Sequence, residues 1–411
     1  MKFSKEHIDH SPLVDGVFKV SARAKAEAAT LGEDQVVNAT IGSLYSEDGK
    51  LVALNTVFDT FNAIENTQKA KYAGGITGNA DYRAQVYNWV VQDVKLDLAH
   101  SVVATPGGTG SIDSTLVNIL DAGQTVVLPD IAWGSYKLMA TMANLKVKNY
   151  SMFDGDHFNM DSFKQVTTEV MEEQGKVLVI LNAPCHNPTG YSLSDEEWNE
   201  LVLYMNEISK KGPFVLLNDI AYIDYSYNLP ASRDYMKHFN DIEENVMVII
   251  AFSCSKTLTS YGLRCGASVI LAKQEESVKE VEILFEKHAR ACWSNVPNAP
   301  MVNFVEVTTK KLKEFNEEKQ YYIDLLKERS DLFKKEADEC GLSYYPYKEG
   351  FFVTIKVEDK DLLDKYHEAL MDQHIFTVKV NKGIRVGVCS ISVAKCKGLA
   401  YKMKEVLDSI Q

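Results

Sequence analysis

A chain of 411 residues is too long for one small core and implies two or three domains or lobes. Its 45% hydrophobic and 25% charged residues are ordinary for a globular protein. A net charge of −13 argues against nucleic acid or an anionic membrane as a main partner, but leaves room for small anions held by a local arginine.

Seven scattered cysteines without a Cys-x-x-Cys pair read as reduced thiols rather than a disulfide framework. The polar start, 1–7, leads into no apolar run, so no secretory signal is expected. No apolar run approaches the ~20 residues of a membrane span. A cytoplasmic location is the expectation.

In chain order, 18–29 is an alanine-rich helical stretch stopped by Gly32. Residues 36–42 read as a short strand entering a turn at Gly42. Residues 71–78 form a glycine-rich loop bearing Tyr72. Val102–Ala104 reads as strand, 105–112 as a glycine loop with Gly108 and Thr109, and 113–120 as helix. Strand, glycine loop and helix start make an anion site, because free N–H groups and the helix dipole face the ligand. A dinucleotide loop looks similar, and Asp121 and Asp130 lie 11 and 20 residues past Gly110. Its position a hundred residues into the chain, with no second fingerprint, favours a cofactor phosphate.

A strand at 124–129 exits towards Trp133 and Tyr136. Another, 176–181, opens into an Asn-Pro-Thr-Gly turn with His186 and Asn187. A third, 214–218, delivers Asp219, followed by Tyr222. A carboxylate at the carboxyl end of a parallel strand sits where α/β sheets bind ligands. Its burial is costly alone and favourable opposite a protonated pyridine nitrogen.

The most informative stretch is 253–266, after the uncharged strand 246–252. It carries Ser253, Ser255 and Lys256, then Arg264 between Gly262 and Gly266. A lysine at the mouth of a buried sheet can lose its proton and act as a nucleophile. Hydroxyls and an arginine beside it suit a phosphate. Together they suggest pyridoxal 5'-phosphate (PLP) held as an imine. Further on come a strand at 267–272, a charged helix ending near Arg290 and Ser294, and a helical run at 305–340 ended by Gly341. The charges of that run alternate in sign and read as a solvated face. Strands at 350–357 and 384–388 follow, and Arg385 among strand apolars calls for a carboxylate partner.

Ser-x-Ser-Lys followed by Gly-x-Arg-x-Gly, with Asn-Pro-Thr-Gly and Asp-x-Ala-Tyr upstream, resembles class I PLP-dependent aminotransferases of the aspartate and aromatic amino acid type. The resemblance spans nearly the whole chain. It implies an α/β, PLP-dependent transferase type I fold, with a large domain around a mostly parallel seven-stranded sheet (46–305). A small α+β domain comes from both termini (306–411, joined by 1–45). It implies Lys256 as the PLP lysine, with Asp219 on the ring nitrogen and Asn187 and Tyr222 on the phenolic oxygen. Trp133 is expected to stack on the ring, and Gly108, Thr109, Ser253 and Arg264 to hold the phosphate. Gly42, Asn187 and Arg385 are expected to bind the substrate, with Arg385 on its α-carboxylate. A homodimer with shared active sites is implied, in which Tyr72 and Ser294 touch the partner's phosphate and Arg290 grips a side-chain carboxylate there.

The activity implied is ping-pong transfer of an amino group from aspartate or an aromatic amino acid to a 2-oxo acid such as 2-oxoglutarate. The aspartate-specific branch has histidine where this chain has Tyr136, so the donor stays open. A lyase or β-decarboxylase on the same cofactor is the nearest alternative, and a nicotinamide oxidoreductase is a remote one. A non-catalytic regulator of this fold expects a DNA-binding segment before residue 40, where the leader is shorter than the ~50-residue domain minimum.

Overall fold

The computed structural model describes residue 3, residues 8–12 and residues 16–411. Most of the polar start at 1–7, on which the signal-peptide reading rests, lies outside them.

Seven strands build the central sheet: β1 (Ala99–Thr105), β2 (Thr125–Pro129), β3 (Lys146–Tyr150), β4 (Val177–Asn182), β5 (Phe214–Asp219), β6 (Val246–Ser253) and β7 (Gly266–Ala272). Their spatial order is β1-β7-β6-β5-β4-β2-β3. Every neighbouring pair is parallel except those made by β7, which runs antiparallel to both β1 and β6. The uncharged strands are covered on both faces. Along β4, Val177, Val179 and Leu181 join one apolar layer, and Leu178 and Ile180 the opposite one. Alternation carries each side chain to the other face, and helices close both.

One layer is completed by Ile112 and Leu116 of helix Gly107–Ile119 and by Val278, Val281 and Phe285 of helix Glu275–Cys292. The other takes Phe163, Trp198 and Phe304 from helices Met160–Gln174, Asp195–Ile208 and Asn298–Lys310. Local signals start these helices. Ser194 and Glu197 form a capping box, and Asn159 caps with its side chain.

The carboxyl-terminal part pairs β8 (Phe352–Lys356), β9 (Val378–Val380) and β10 (Gly383–Gly387) in the order β8-β10-β9. The amino-terminal segment joins it. Helix Gly16–Leu31 leads to Val37–Asn38, which runs parallel to Ile375–Phe376. Gly387 N–H then donates to Ala39 O at 2.8 Å.

Several expectations are corrected. The strand at 36–42 shrinks to Val37–Asn38, because the chain then turns into the cavity described below. The glycine loop at 105–112 is mostly helix: Gly107–Gly110 already form its first turn, and Gly107 takes φ +74°, which glycine adopts without strain. The helical run at 305–340 is two helices, Asn298–Lys310 and Leu312–Cys340, broken at Lys311. Nor is the second one solvated all round. Lys319, Arg329 and Glu336 are buried, with Arg329 donating to Glu47 Oε1 and to the carbonyls of Tyr45 and Cys389. Alternating charge along the sequence conceals which residues face inward.

Candidate active site

The carboxyl ends of β4, β5 and β6 deliver Asn182, Asp219 and Ser253 to one edge of the sheet. Because β7 runs the other way, its amino-terminal end meets them there, so Arg264 arrives beside the start of helix Gly107–Ile119. A cavity of about 490 Å³ opens at this edge. Its walls include Gly42, Gly108, Thr109, Trp133, Asn187, Asp219, Tyr222, Ser253, Lys256, Arg264 and Arg385, which brings eleven of the expected site residues together. A larger cleft of about 670 Å³ lies elsewhere, against helices Asn55–Ala63 and Asn298–Lys310, and holds none of these groups. Volume alone does not locate the site.

Lys256 stands on the short helix Cys254–Thr257, which Ser253 caps by accepting Ser255 N–H at 3.2 Å. Lys256 Nζ donates to Gly42 O at 2.7 Å and lies 4.7 Å from the Tyr261 ring centroid and 5.4 Å from that of Tyr222. Burial lowers its pKa to about 8, and the positive charges of Arg385 and Arg264 add to that, while Cys389 and Asp219 oppose it. The side chain keeps some access to water through the cavity, but the amine itself sits deep. The surroundings of the amine rather than the exposure of the whole residue decide its protonation.

Asp219 Oδ2 accepts the Tyr136 hydroxyl at 2.6 Å, and Oδ1 accepts Ala221 N–H at 3.0 Å. Burial raises its pKa, against the pull of Tyr136, the Ala221 amide and Lys256. Burial likewise holds Tyr136 well above the ordinary phenol range, so it stays a neutral donor. Asn182 braces the next turn, donating from Nδ2 to Asp219 O at 2.8 Å and accepting Asn187 N–H at 2.6 Å. Asn187 Nδ2 donates to Tyr222 Oη at 3.3 Å, and its Oδ1 accepts Arg385 Nη1–H at 3.2 Å. Arg385 also donates to Thr40 O at 2.8 Å, with its guanidinium 4.3 Å from the Phe352 ring centroid.

The remaining corner is an anion cradle. Arg264 holds φ +50°, a strained conformation for a side-chain-bearing residue, and donates to Ser255 Oγ at 3.1 Å and Tyr261 O at 2.8 Å. A Cβ on Gly107 would stand 2.6 Å from Arg264 Nη2, and one on Gly266 would stand 2.5 Å from Phe252 O and 2.7 Å from Gly107 C. Glycine is required at both points for the guanidinium and the helix start to close together. The N–H groups of a helix start, a guanidinium and the Ser253 and Ser255 hydroxyls suit a phosphate dianion. A cofactor phosphate fits this cradle.

Tyr72, Arg290 and Ser294 do not reach the cavity of their own chain. Tyr72 is 83% exposed, and Arg290 donates to Ser294 Oγ at 2.8 Å on the surface. His186 is a core residue: burial lowers its pKa to about 3, and its Nδ1 pairs with Thr189 Oγ1. Sequence reasoning missed Asn182 and Tyr261 as site residues and gave Tyr136 no partner. Ser255 was read only as one of the hydroxyls beside Lys256, and the structure places its Oγ as the acceptor of an Arg264 hydrogen bond. Tyr136 carried no signal, because its partner is 83 residues away.

Sheet, lysine and cradle together fit a PLP-dependent enzyme of fold type I. The chain belongs to the aminotransferase class I and II family, whose model matches residues 34–402. It is 25% identical over 390 residues to the mitochondrial aspartate aminotransferase of Gallus gallus, covering 90% of this chain and 87% of that protein. The crystal structure of an aminotransferase from Anaerococcus prevotii superposes with a TM-score of 0.94 at 31% identity, covering 100% of both chains. An aromatic-amino-acid aminotransferase from Burkholderia pseudomallei, crystallised covalently bound to pyridoxal phosphate, shares the fold with a TM-score of 0.76 at 22% identity, covering 98% of this chain and 99% of that one.

Proposed function

We propose that this aminotransferase binds PLP through Lys256 and passes an amino group from aspartate or an aromatic L-amino acid to 2-oxoglutarate by a ping-pong route. The observation that carries this reading is the meeting of Lys256, Asp219, Arg264 and Arg385 around one cavity. When bound, PLP supplies an electron sink for the bond electrons released at the substrate's α-carbon. Arg264, Ser253, Ser255 and the first amides of helix Gly107–Ile119 bind the phosphate. Asp219, fixed in turn by Tyr136, would hold the proton of the ring nitrogen. Asn187 and Tyr222 would hold the phenolic oxygen, and Trp133 lines the same cavity as a partner for the ring. Arg385 takes the α-carboxylate beside Gly42, which orients the Cα–H bond towards Lys256. A lysine amine with a pKa near 8 is partly neutral at working pH, so Nζ can accept that proton and return it.

Among the described residues, three cations line the cavity, Lys256, Arg264 and Arg385, and all have roles in this scheme. A dicarboxylic substrate therefore needs a fourth, for which Arg290 of a second subunit is the candidate. The outward placement of Tyr72, Arg290 and Ser294 supports a homodimer with shared sites, with the large domain at 46–305 and the small domain formed by both chain ends. The seven free thiols support a cytoplasmic location.

A donor panel with 2-oxoglutarate tests the reading, wild type against Arg290→Ala. In a ping-pong route kcat/KM for a donor is independent of the acceptor, so it is compared donor by donor: selective loss for dicarboxylic donors is expected, and an equal fall in donor kcat/KM for all donors refutes the Arg290 role. Ammonia released without an acceptor would favour the lyase reading. Mixing Lys256→Ala and Arg290→Ala chains should restore about a quarter of wild-type activity, because half the dimers are mixed and each carries one intact site. No restoration would place both residues in one chain's site.

A further inference from the structure

Directly beneath the lysine turn lies a buried ionic cluster that no part of the scheme above uses. Asp224 is 1% exposed and sits in the turn Ile223–Tyr225, two residues after Tyr222. Its Oδ1 accepts Arg233 Nη2–H at 2.5 Å, with Lys319 Nζ 3.9 Å away. Its Oδ2 accepts Trp89 Nε1–H at 3.0 Å and the Thr257 hydroxyl at 2.6 Å. Thr257 immediately follows Lys256 and is itself buried. Lys319 Nζ in turn lies 5.0 Å from the Trp89 ring and 4.7 Å from the Phe315 ring.

Three charged groups in a dry interior are an expensive way to fill space, since apolar residues of similar shape often do as well or better. What the cluster offers instead is direction. Arg233, Trp89 and Lys319 come from three separate parts of the chain and fix the carboxylate from different sides. The one ligand of Asp224 that belongs to the catalytic turns is Thr257. Through it, the turn that presents Tyr222 and the turn that presents Lys256 are tied to the same immobile group.

We propose that Asp224 is a positioning residue for Lys256, acting through the Thr257 hydroxyl to hold the lysine turn in register with the Tyr222 turn. The inference rests on the assignment of Lys256 as the reacting amine. Removing the Thr257 hydroxyl lets the short helix Cys254–Thr257 shift. The amine then loses its fixed distance to Gly42 O and to the two tyrosine rings, and gains water.

Thr257→Val removes the hydroxyl at nearly constant volume and leaves Asp224 with its other three partners. Thr257→Ser is the conservative control that keeps the donor. Two readouts are measured on the full chain. In the holoenzyme, kcat is expected to fall 10–100-fold for Thr257→Val with KM changed less than threefold, and Thr257→Ser to recover to within threefold of wild type. In the full chain stripped of cofactor, the pH dependence of reductive methylation at Lys256, read by peptide mass, is expected to move upward by half a pH unit or more in Thr257→Val and to stay at the wild-type value in Thr257→Ser. A purely structural role would lower the melting temperature and leave that titration in place. An unmoved titration with kcat within twofold of wild type overturns the proposal. If Thr257→Val does not fold, Thr257→Ala and Thr257→Ser are compared on the same titration, and equal values for the two overturn it. A wild-type chain whose Lys256 titrates as expected but never bonds to PLP refutes the proposed function and leaves the positioning comparison readable.

Discussion

The protonation of Lys256 can be tested before any turnover is measured. Burial lowers its pKa from the ordinary 10.5 to about 8. At pH 7 an ordinary lysine is about 0.03% neutral and this one about 9%, a gain of about 300-fold in reactive amine. The sign of the stability effect follows. In the folded chain the amine binds fewer protons than in the unfolded chain between about 8 and 10.5, so stability rises with pH across that window and the cost is full below it. A drop of about 2.5 units corresponds to at most about 3 kcal/mol, offset by about 1 kcal/mol for the hydrogen bond to Gly42 O. Lys256→Met in the cofactor-free chain should therefore be more stable than wild type at pH 7, by up to about 2 kcal/mol. That difference should vanish near pH 10. Denaturant melts at the two pH values, together with competitive labelling of Lys256, decide the matter. A labelling midpoint near 10.5, or a Met variant less stable than wild type at pH 7, would refute the reasoning.

Tyr136→Phe removes the shorter of the two hydrogen bonds to the Asp219 carboxylate, a charge-assisted bond of about 1.5–3 kcal/mol. The Asp219 pKa should rise further, and PLP dissociation measured by equilibrium dialysis should increase tenfold or more; unchanged affinity counts against the pairing. Gly107→Ala places a methyl 2.6 Å from Arg264 Nη2 at a positive φ. We expect at least tenfold weaker binding of pyridoxal phosphate and little change for pyridoxal, read by absorbance titration. Asp224→Asn leaves Arg233 and Lys319 buried with a weakened partner and should cost about 3–5 kcal/mol in denaturant melts. Burial works to raise the Asp224 pKa, but Arg233, Lys319 and the Thr257 hydroxyl hold it well below the usual carboxylate range. Its stabilisation is therefore present above the unfolded value of 3.8 and lost as pH falls below it, so Asp224→Asn should flatten the acid arm of the stability curve.

The site was legible where chemistry follows directly on a buried strand. Asp219, Asn187, Lys256 and Arg385 each sit at or just past an apolar run, where a charged or amide side chain has a cost that only a ligand or partner explains. Six of the seven sheet strands were legible as runs with almost no acidic or basic side chains, which suit a sheet covered on both faces; the edge strand Lys146–Tyr150, with two lysines, was not. What stayed hidden depends on distance along the chain. Tyr136 looks like any aromatic until its hydroxyl meets Asp219. Lys319 lies in a helix of alternating charge that reads as solvated, and only its approach to Asp224, 95 positions away, shows that it faces inward. The break at Lys311 has no glycine or proline to announce it. Tyr72, Arg290 and Ser294 were singled out by resemblance, and one chain alone gives them no ligand.

The most direct test of the account is a single half-reaction. Purified holoenzyme is mixed with an amino donor and no acceptor, and 2-oxo acid, ammonia and the covalent state of Lys256 are quantified. The account predicts one 2-oxo acid per subunit, no ammonia, and a borohydride-fixed cofactor on the Lys256 peptide before donor is added. Continued ammonia release, or a cofactor fixed to any other residue, would contradict it.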